Sequence, residues 1–147
     1  MITVANLLKK KGGSVFSVTP DTATFDAIKL MGEKGIGALL VMAGDKLEGI
    51  VSERDFVRQI AKVGTCNLNT PVKTFMTQMV FYVTPTLTTD ECMALMTEKH
   101  IRHLPVLADG KVVGVISIGD VVKEVVSDQA STIVGLENYI TGHDYMH

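Results

Sequence analysis

The sequence predicts an α/β fold in which two β-α-β-β-α repeats pack sheet to sheet about a pseudo-twofold axis, followed by a C-terminal helix. Three observations carry this prediction. A shift of 65 positions aligns residues 18–58 with residues 83–123 without a gap, and 17 of the 41 pairs are identical. Within each copy, short β-rich runs alternate with segments whose apolar residues recur at helical spacing. One unit of about 50 residues is marginal alone, so two units are expected to close their sheets against each other.

The composition excludes several classes of partner. The 147 residues are 46% hydrophobic and 20% charged, which is ordinary for a folded protein, and the net charge is -2. A chain with this charge lacks the broad positive field that non-specific nucleic-acid binding requires. The longest apolar run, 38–43, is far shorter than the roughly 20 residues of a membrane span, and residues 1–30 carry no signal-peptide pattern. Two cysteines form no disulfide framework, so a reducing cytoplasm is the expected location.

Each copy begins with a short strand and a helix. Residues 15–18 and 80–83 are β-rich runs that end in a Thr-Pro pair, which predicts a strand followed by a stop. The apolar residues that follow recur at helical spacing and predict helices that end near residues 34 and 99. The candidate N-caps are Asp21 and Thr22 in the first copy and Thr86 and Thr88 in the second.

Each copy continues with a β-hairpin and a second helix. The predicted strands are 38–42 and 47–52 in the first copy and 103–107 and 112–117 in the second. The dipeptides Gly44-Asp45 and Asp109-Gly110 separate these strands and are favoured in hairpin turns. The second helices are predicted to begin at Glu53 and Ile118.

The segments outside the aligned copies complete the predicted organisation. Residues 4–8 and 72–76 form similar lead-in helices, but their offset of 68 means that the first copy carries about three extra residues before its first strand. Lys9-Lys10-Lys11 lies at the end of the first lead-in helix, where cations complement the helix dipole. Residues 132–140 predict an amphipathic helix that packs on the module or on another subunit. The predicted domains are 3–62 and 71–127, with 128–147 as the C-terminal helix and tail.

The most informative motif is Gly-apolar-apolar-Ser-x-x-Asp, which occurs at residues 49–55 and again at 114–120. In each copy the Ser ends a predicted strand and the Asp lies on the first turn of the following helix. A hydroxyl, unpaired backbone N–H groups and a carboxylate therefore converge at a helix N-terminus, which favours anions. A carboxylate there can also accept two hydrogen bonds from a ribose diol. The alternative is a helix cap, because Ser-x-x-Asp resembles a capping box.

Four features together resemble tandem CBS domains, the Bateman module: the repeat, the Thr-Pro pair, the segment 101–106 with the sequence Ile-Arg-His-Leu-Pro-Val, and the duplicated Ser-x-x-Asp motif. The resemblance covers residues 3–127. It implies a cleft with two sites that a pseudo-twofold axis relates, each built from both repeats. The ligands of such modules are AMP, ADP, ATP, NAD or S-adenosylmethionine. We therefore expect a regulatory module that binds an adenine nucleotide and is not an enzyme.

The resemblance implies a first site that combines the motif of the first copy with residues of the second copy: Ile50, Ser52, Asp55, Phe81, Arg102 and His103. In this first site Asp55 would hold the ribose hydroxyls, and Ser52 would lie near the sugar or the α-phosphate. Arg102 and His103 would face phosphate, whereas Phe81 and Ile50 would form an apolar slot for the adenine.

The resemblance also implies a second site, with these residues: Ser117, Asp120, Phe16, Gly37, Ala38 and Arg54. Gly37 and Ala38 align with Arg102 and His103, so the strand of the second site supplies no cation. Arg54 aligns with Gly119, so here the cation that extends towards phosphate comes from a helix. We therefore expect the two sites to have unequal affinities for phosphate-bearing ligands.

Other functions have weaker support. Residues 114–119 resemble a nucleophile elbow, but their glycine spacing differs, and none of the four histidines has a triad setting. The pairs His100/His103 and His143/His147 have the spacing of metal ligands, but the first pair spans a helix end and a strand start. The serious alternative is a module that docks a partner protein with its clefts empty. In either case we expect a homodimer that acts on a separate regulated protein.

Overall fold

The computed structural model describes residues 2–128, and their elements follow the predicted order. The helices are α1 (Val4–Lys11), α2 (Thr24–Lys34), α3 (Glu53–Val63), α4 (Thr89–Lys99) and α5 (Ile118–Asp128), and a 3-10 helix spans Val72–Thr74. The strands are β1 (Ser17–Val18), β2 (Ala38–Ala43), β3 (Lys46–Ser52), β4 (His103–Ala108) and β5 (Lys111–Ser117). The helix predicted at 132–140 lies outside the described residues.

Two antiparallel hairpins form the centre of the repeats, as predicted. β2 pairs with β3 and β4 pairs with β5, and the two pairings have the same register 65 residues apart. Gly44 and Asp109 have positive φ angles of 63° and 52° in their hairpin turns. The matched registers place Ser52 and Ser117 at equivalent strand ends, immediately before α3 and α5.

The first strand differs between the repeats. In the first repeat β1 pairs in parallel with β2, and the N–H of Leu40 donates to the carbonyl of Phe16. The second repeat has instead an isolated bridge between Val83 and Val106. Pro105 occupies the position of Leu40 and has no N–H to donate. The strand predicted at 80–83 is therefore shortened to a single bridge.

The first helices of the two repeats begin differently. Thr88 caps α4 through a reciprocal capping box with Glu91, as predicted. In contrast, α2 begins after Ala23, which offers no side-chain cap. The Thr22 hydroxyl accepts a hydrogen bond from the N–H of Thr19 at 3.0 Å, so it belongs to the preceding turn. The prediction that Asp21 or Thr22 caps α2 is therefore wrong.

The hydrophobic core is divided into two clusters, and the lead-in segments are exchanged between them. Val4 and Leu7 of α1 are buried in the cluster of the second repeat. The N–H of Val4 donates to the carbonyl of Leu87 at 2.7 Å, and the N–H of Thr89 donates to the carbonyl of Ile2 at 2.9 Å. The N-terminal helix therefore completes the core of the second repeat, although the first repeat follows it in sequence.

The linker makes the reciprocal contact with the first repeat. Val72 is fully buried in the cluster of that repeat, and its N–H donates to the carbonyl of Thr22 at 2.9 Å. The ring of Phe75 packs edge-on against Phe56, with the ring centroids 5.1 Å apart. Because each lead-in segment buries apolar surface in the other repeat, the two repeats depend on each other for a complete core.

The two thiols should differ in reactivity. Cys92 is fully buried in the second cluster, and burial, together with the nearby charge of Glu91, raises its pKa to about 11. Cys66 is exposed in the linker. Because the thiolate is the reactive form, Cys92 should stay protonated and unreactive at about pH 8. We expect a thiol reagent to label one cysteine per native chain and both in denaturant; rapid labelling of both native thiols would contradict this burial.

Candidate functional site

A cavity of about 410 Å³ lies between the two repeats. The first repeat contributes the end of β3 and the start of α3, and the second repeat contributes the end of α4 and the start of β4. The segment that precedes Val83 completes the lining. All six residues of the first site lie on this cavity: Ile50, Ser52, Asp55, Phe81, Arg102 and His103.

Ser52 and Asp55 are joined by a reciprocal capping box at the start of α3. Asp55 Oδ2 accepts hydrogen bonds from the N–H of Ser52 at 2.8 Å and from its hydroxyl at 3.1 Å. The N–H of Asp55 donates to Ser52 Oγ at 3.4 Å. The helix-cap interpretation of the motif is therefore confirmed. Both residues also line the cavity, so the cap orients a carboxylate at its edge.

Cations outnumber carboxylates on the lining of this cavity. The basic residues are Arg54, Arg58, Lys99 and Arg102, and the acidic residues are Glu53 and Asp55. Arg54 Nη1 donates to the carbonyl of His100 at 3.4 Å, which connects α3 of the first repeat to the end of α4. Lys99 Nζ lies 5.2 Å from the centre of the Phe81 ring. This excess of positive charge favours a ligand that carries phosphate.

An apolar segment completes the cavity. Thr77 forms an antiparallel bridge with Ile50, with N···O distances of 3.0 and 2.9 Å. This bridge brings Met79, Val80 and Phe81 to the lining. Met79 is 79% exposed and Phe81 is 38% exposed, so both leave apolar surface uncovered. Such a surface suits a planar ring such as a purine.

His103 lies close to residues of both predicted sites. Burial lowers the pKa of His103 below its ordinary value, and Lys11 acts in the same direction, whereas Asp120 and Glu53 oppose the shift. A side-chain carbon at Gly37 would lie 3.4 Å from the His103 ring and 2.9 Å from Glu53 Oε1. Glycine at position 37 therefore leaves the space that the His103 ring and the Glu53 carboxylate occupy.

The second site has a different environment. Asp120 Oδ2 accepts the N–H of Ser117 at 2.8 Å, and the N–H of Asp120 donates to Ser117 Oγ at 3.1 Å. Lys11 Nζ lies 2.6 Å from the same Oδ2 and donates to the carbonyl of Val115 at 2.5 Å. Burial raises the pKa of Asp120, but the hydrogen bonds from Lys11 and Ser117 outweigh burial and hold the pKa below its ordinary value. The carboxylate of the second site is therefore already paired within the chain.

The structure places the other residues assigned to the second site in the first repeat, around the start of β2 and α3. Lys34 Nζ lies 5.2 Å from the centre of the Phe16 ring, which mirrors the Lys99–Phe81 contact. Ala38 is buried at the start of β2, opposite Ser52. Gly37 and Arg54 also line the cavity of the first site. For Arg54 the reason is its hydrogen bond to the carbonyl of His100, which turns the side chain towards the second repeat.

The sequence reasoning missed two contributors. In the sequence Lys11 is one of three cations at a helix end, yet it contacts Asp120, 109 positions away. Met79 lies outside the aligned copies, so the repeat gave it no partner. The sequence carries one indication of the Lys11 contact. The first copy has about three more residues before its first strand than the second copy, and these residues extend α1 to the edge of β5.

The His100/His103 pair is not part of a larger group of metal-ligating side chains among the described residues. His100 ends α4 in the left-handed conformation, with a φ of 55°, and His103 begins β4. Among residues 2–128, no group of three or more His, Cys, Asp or Glu side chains could hold a metal ion. Over the same range, every helix is too short or too polar to cross a membrane.

The two-repeat fold and the cleft between the repeats define a class of protein. The family model described as the CBS domain matches residues 3–62 and 72–127. The chain therefore belongs to the CBS domain family and carries two such domains in tandem, which confirms the resemblance found in its sequence.

Individual relatives agree with this assignment. The CBS domain-containing protein CBSX3, mitochondrial, of Arabidopsis thaliana is 38% identical, and the match covers 95% of this chain and 72% of that protein. The structure of a protein with CBS domains from Burkholderia ambifaria MC40-6 is 53% identical, with a TM-score of 0.82, and the match covers 86% of this chain and 96% of that one. CBSX2, solved in complex with AMP, is 26% identical, with a TM-score of 0.69 and coverage of 88% and 99%.

Proposed function

We propose that this chain is a regulatory module that binds an adenine nucleotide, AMP in particular, in the first site, and that it is not an enzyme. The observation that carries the proposal is the cavity of about 410 Å³, on which all six residues of the first site lie. Its volume falls within the range of about 300–1,000 Å³ that is usual for small-molecule sites. The complex of the relative CBSX2 with AMP supports the choice of ligand.

Each part of AMP has a chemically matched group in the cavity. Asp55 is a carboxylate held by its cap at the cavity edge, and it can accept hydrogen bonds from the ribose diol. Arg102 offers a charge-assisted hydrogen bond to phosphate, and neutral His103 can add another. Ile50 and Phe81 provide apolar surface for the adenine.

The charge of the lining discriminates among adenine compounds. Four basic and two acidic side chains surround the cavity. AMP, ADP, ATP and NAD carry negative phosphate groups that this lining attracts. S-adenosylmethionine carries a cationic sulfonium instead, so we expect it to bind more weakly than AMP.

Titration calorimetry with AMP and adenosine tests the proposal. A charge-assisted hydrogen bond contributes about 1.5–3 kcal/mol, so AMP should bind at least about tenfold more tightly than adenosine. Arg102→Gln should remove much of this difference by weakening AMP and not adenosine. Lys62→Gln, an equal loss of charge at an exposed position on α3, is the control and should change neither. Failure of wild-type protein to bind AMP would contradict the proposal.

An exposed apolar surface supports regulation through a protein contact. It is formed by large side chains of α2, α3 and the linker: Phe25, Ile28, Val57, Ile60, Val63 and Leu68. Ile28, Ile60 and Val63 line one common cavity, so the surface is continuous there, and contiguous exposed apolar surface marks protein interaction sites. A second copy of the chain covers this surface in a homodimer, and nucleotide binding acts on a separate regulated protein through that assembly. A monomeric mass in light scattering would contradict the homodimer.

A further inference from the structure

Lys11 contacts Asp120, a residue of the predicted second site. Its Nζ donates to the carbonyl of Val115 at 2.5 Å and to Asp120 Oδ2 at 2.6 Å. Both acceptors belong to the second repeat, at the end of β5 and the start of α5. The helix α1 that carries Lys11 is itself anchored in the core of this repeat by Val4 and Leu7. The helix is therefore fixed in the core, and the Lys11 side chain, which is 36% exposed, extends from its last residue.

At the first site, the carbonyl that corresponds to the lysine-bound carbonyl of Val115 has a different partner. Ile50 is the repeat counterpart of Val115, and its carbonyl accepts the backbone N–H of Thr77 at 2.9 Å. Thr77 and Met79, which carry no charge, line the cavity at this edge. In the second repeat an ammonium group takes the role of that backbone N–H.

A second ion pair reinforces the position of Lys11. Lys10 Nζ lies 2.5 Å from Glu124 Oε1, and Glu124 is 7% exposed. Asp120 and Glu124 are four residues apart on α5, so their carboxylates lie on one face of that helix. Two consecutive lysines at the end of α1 therefore bind two carboxylates of α5.

We propose that Lys11 closes the second site by holding Asp120 in an internal ion pair, so that each chain binds one adenine nucleotide and not two. This inference rests on the proposed function of the first site. A ribose diol at Asp120 would have to compete with an ammonium group already bound to Oδ2 and to the neighbouring Val115 carbonyl. The sequence predicts unequal affinities of the two sites for phosphate-bearing ligands, and in this proposal Lys11 causes the difference.

Calorimetry with AMP tests the closure through Lys11→Met. Lys9→Met is the matched control, because Lys9 is an exposed lysine on the same turn of α1. Wild type and Lys9→Met should bind one AMP per chain in the range where the first site saturates, and Lys11→Met should add a second. Because the Lys11 and Asp120 side chains are 36% and 26% exposed, the ion pair contributes up to about 1 kcal/mol, so the second AMP should bind about two- to fivefold more tightly than in wild type. Adding Asp120→Asn to Lys11→Met should restore a single site.

Two results would overturn the closure while the first site stands. One is a Lys11→Met variant that binds a single AMP as wild type does. The other is a wild type that binds two AMP molecules, one of which is weakened in Lys11→Met, because Lys11 would then hold phosphate.

A measurement without nucleotide separates the closure from the proposed function. The charged groups that act on His103 are Lys11, Asp120, Glu53 and Arg102, and Lys11 lowers the pKa of His103. Lys11→Met should therefore raise the pKa of His103 in an NMR titration, and Lys9→Met should not. An unchanged pKa in Lys11→Met would overturn the closure even where AMP binds. Absence of AMP binding in all variants would overturn the proposed function and the closure together.

Discussion

Leu7→Ala should destabilise the protein by about 2–5 kcal/mol, because it opens a cavity in the core of the second repeat. Leu7 is 2% exposed and belongs to the same cluster as Cys92 and Leu104. Truncation removes buried methyl groups, and the surrounding side chains collapse only partly into the space. The melting temperature should fall by roughly 5–15 °C for a chain of this size.

Urea and thermal unfolding measure this loss, and Val122→Ala is the control. Val122 is 45% exposed on α5 and lies outside the surface assigned to the homodimer, so its truncation should change the stability by less than about 0.5 kcal/mol. Hydrogen exchange and thiol labelling identify the repeat that is affected. In Leu7→Ala, hydrogen exchange of the α4 amides and labelling of the Cys92 thiol should become faster than in wild type. Hydrogen exchange of the α2 amides should change less. The exchange of lead-in segments would be contradicted by a loss of protection in α2 alone.

This exchange marks a limit of what the sequence could predict. Val4 and Val72 occupy matched positions in two similar lead-in segments, and an apolar residue does not specify which of two similar cores it enters. The hairpins were predictable to within one residue, because strand periodicity and turn dipeptides are local properties. The shortened strand at Val83 was also predictable in principle, since the missing N–H of Pro105 is visible in the sequence.

The residues of the candidate site also fall into two groups: those that a local sequence motif locates and those that tertiary packing places. Ser52 and Asp55 were located by a duplicated motif, because a strand end and the next helix start position both side chains. The direction of Arg54 depends on how α3 packs against the end of α4, which no local pattern encodes. The contact between Lys11 and Asp120 joins segments 109 positions apart and depends on the exchanged α1.

Asp55→Asn should weaken AMP binding by about ten- to a hundredfold, the largest effect expected on function. The substitution keeps the size of the side chain but removes the charge that strengthens hydrogen bonds from the ribose diol. Hydrogen bonds to charged groups contribute about 1.5–3 kcal/mol, and each 1.4 kcal/mol changes the dissociation constant about tenfold. Calorimetry with AMP measures the loss.

Asp120→Asn separates ligand binding from helix capping. Asp55 and Asp120 accept the same backbone hydrogen bond, from the N–H of Ser52 and of Ser117, each at 2.8 Å. Both substitutions should therefore weaken a helix start, and Asp120→Asn also breaks the ion pair with Lys11. The Asp55 variant alone should nevertheless lose affinity for AMP at the first site. An equal loss in both variants would mean that the effect acts through the helix starts, and an unchanged affinity in Asp55→Asn would remove this carboxylate from the ligand site.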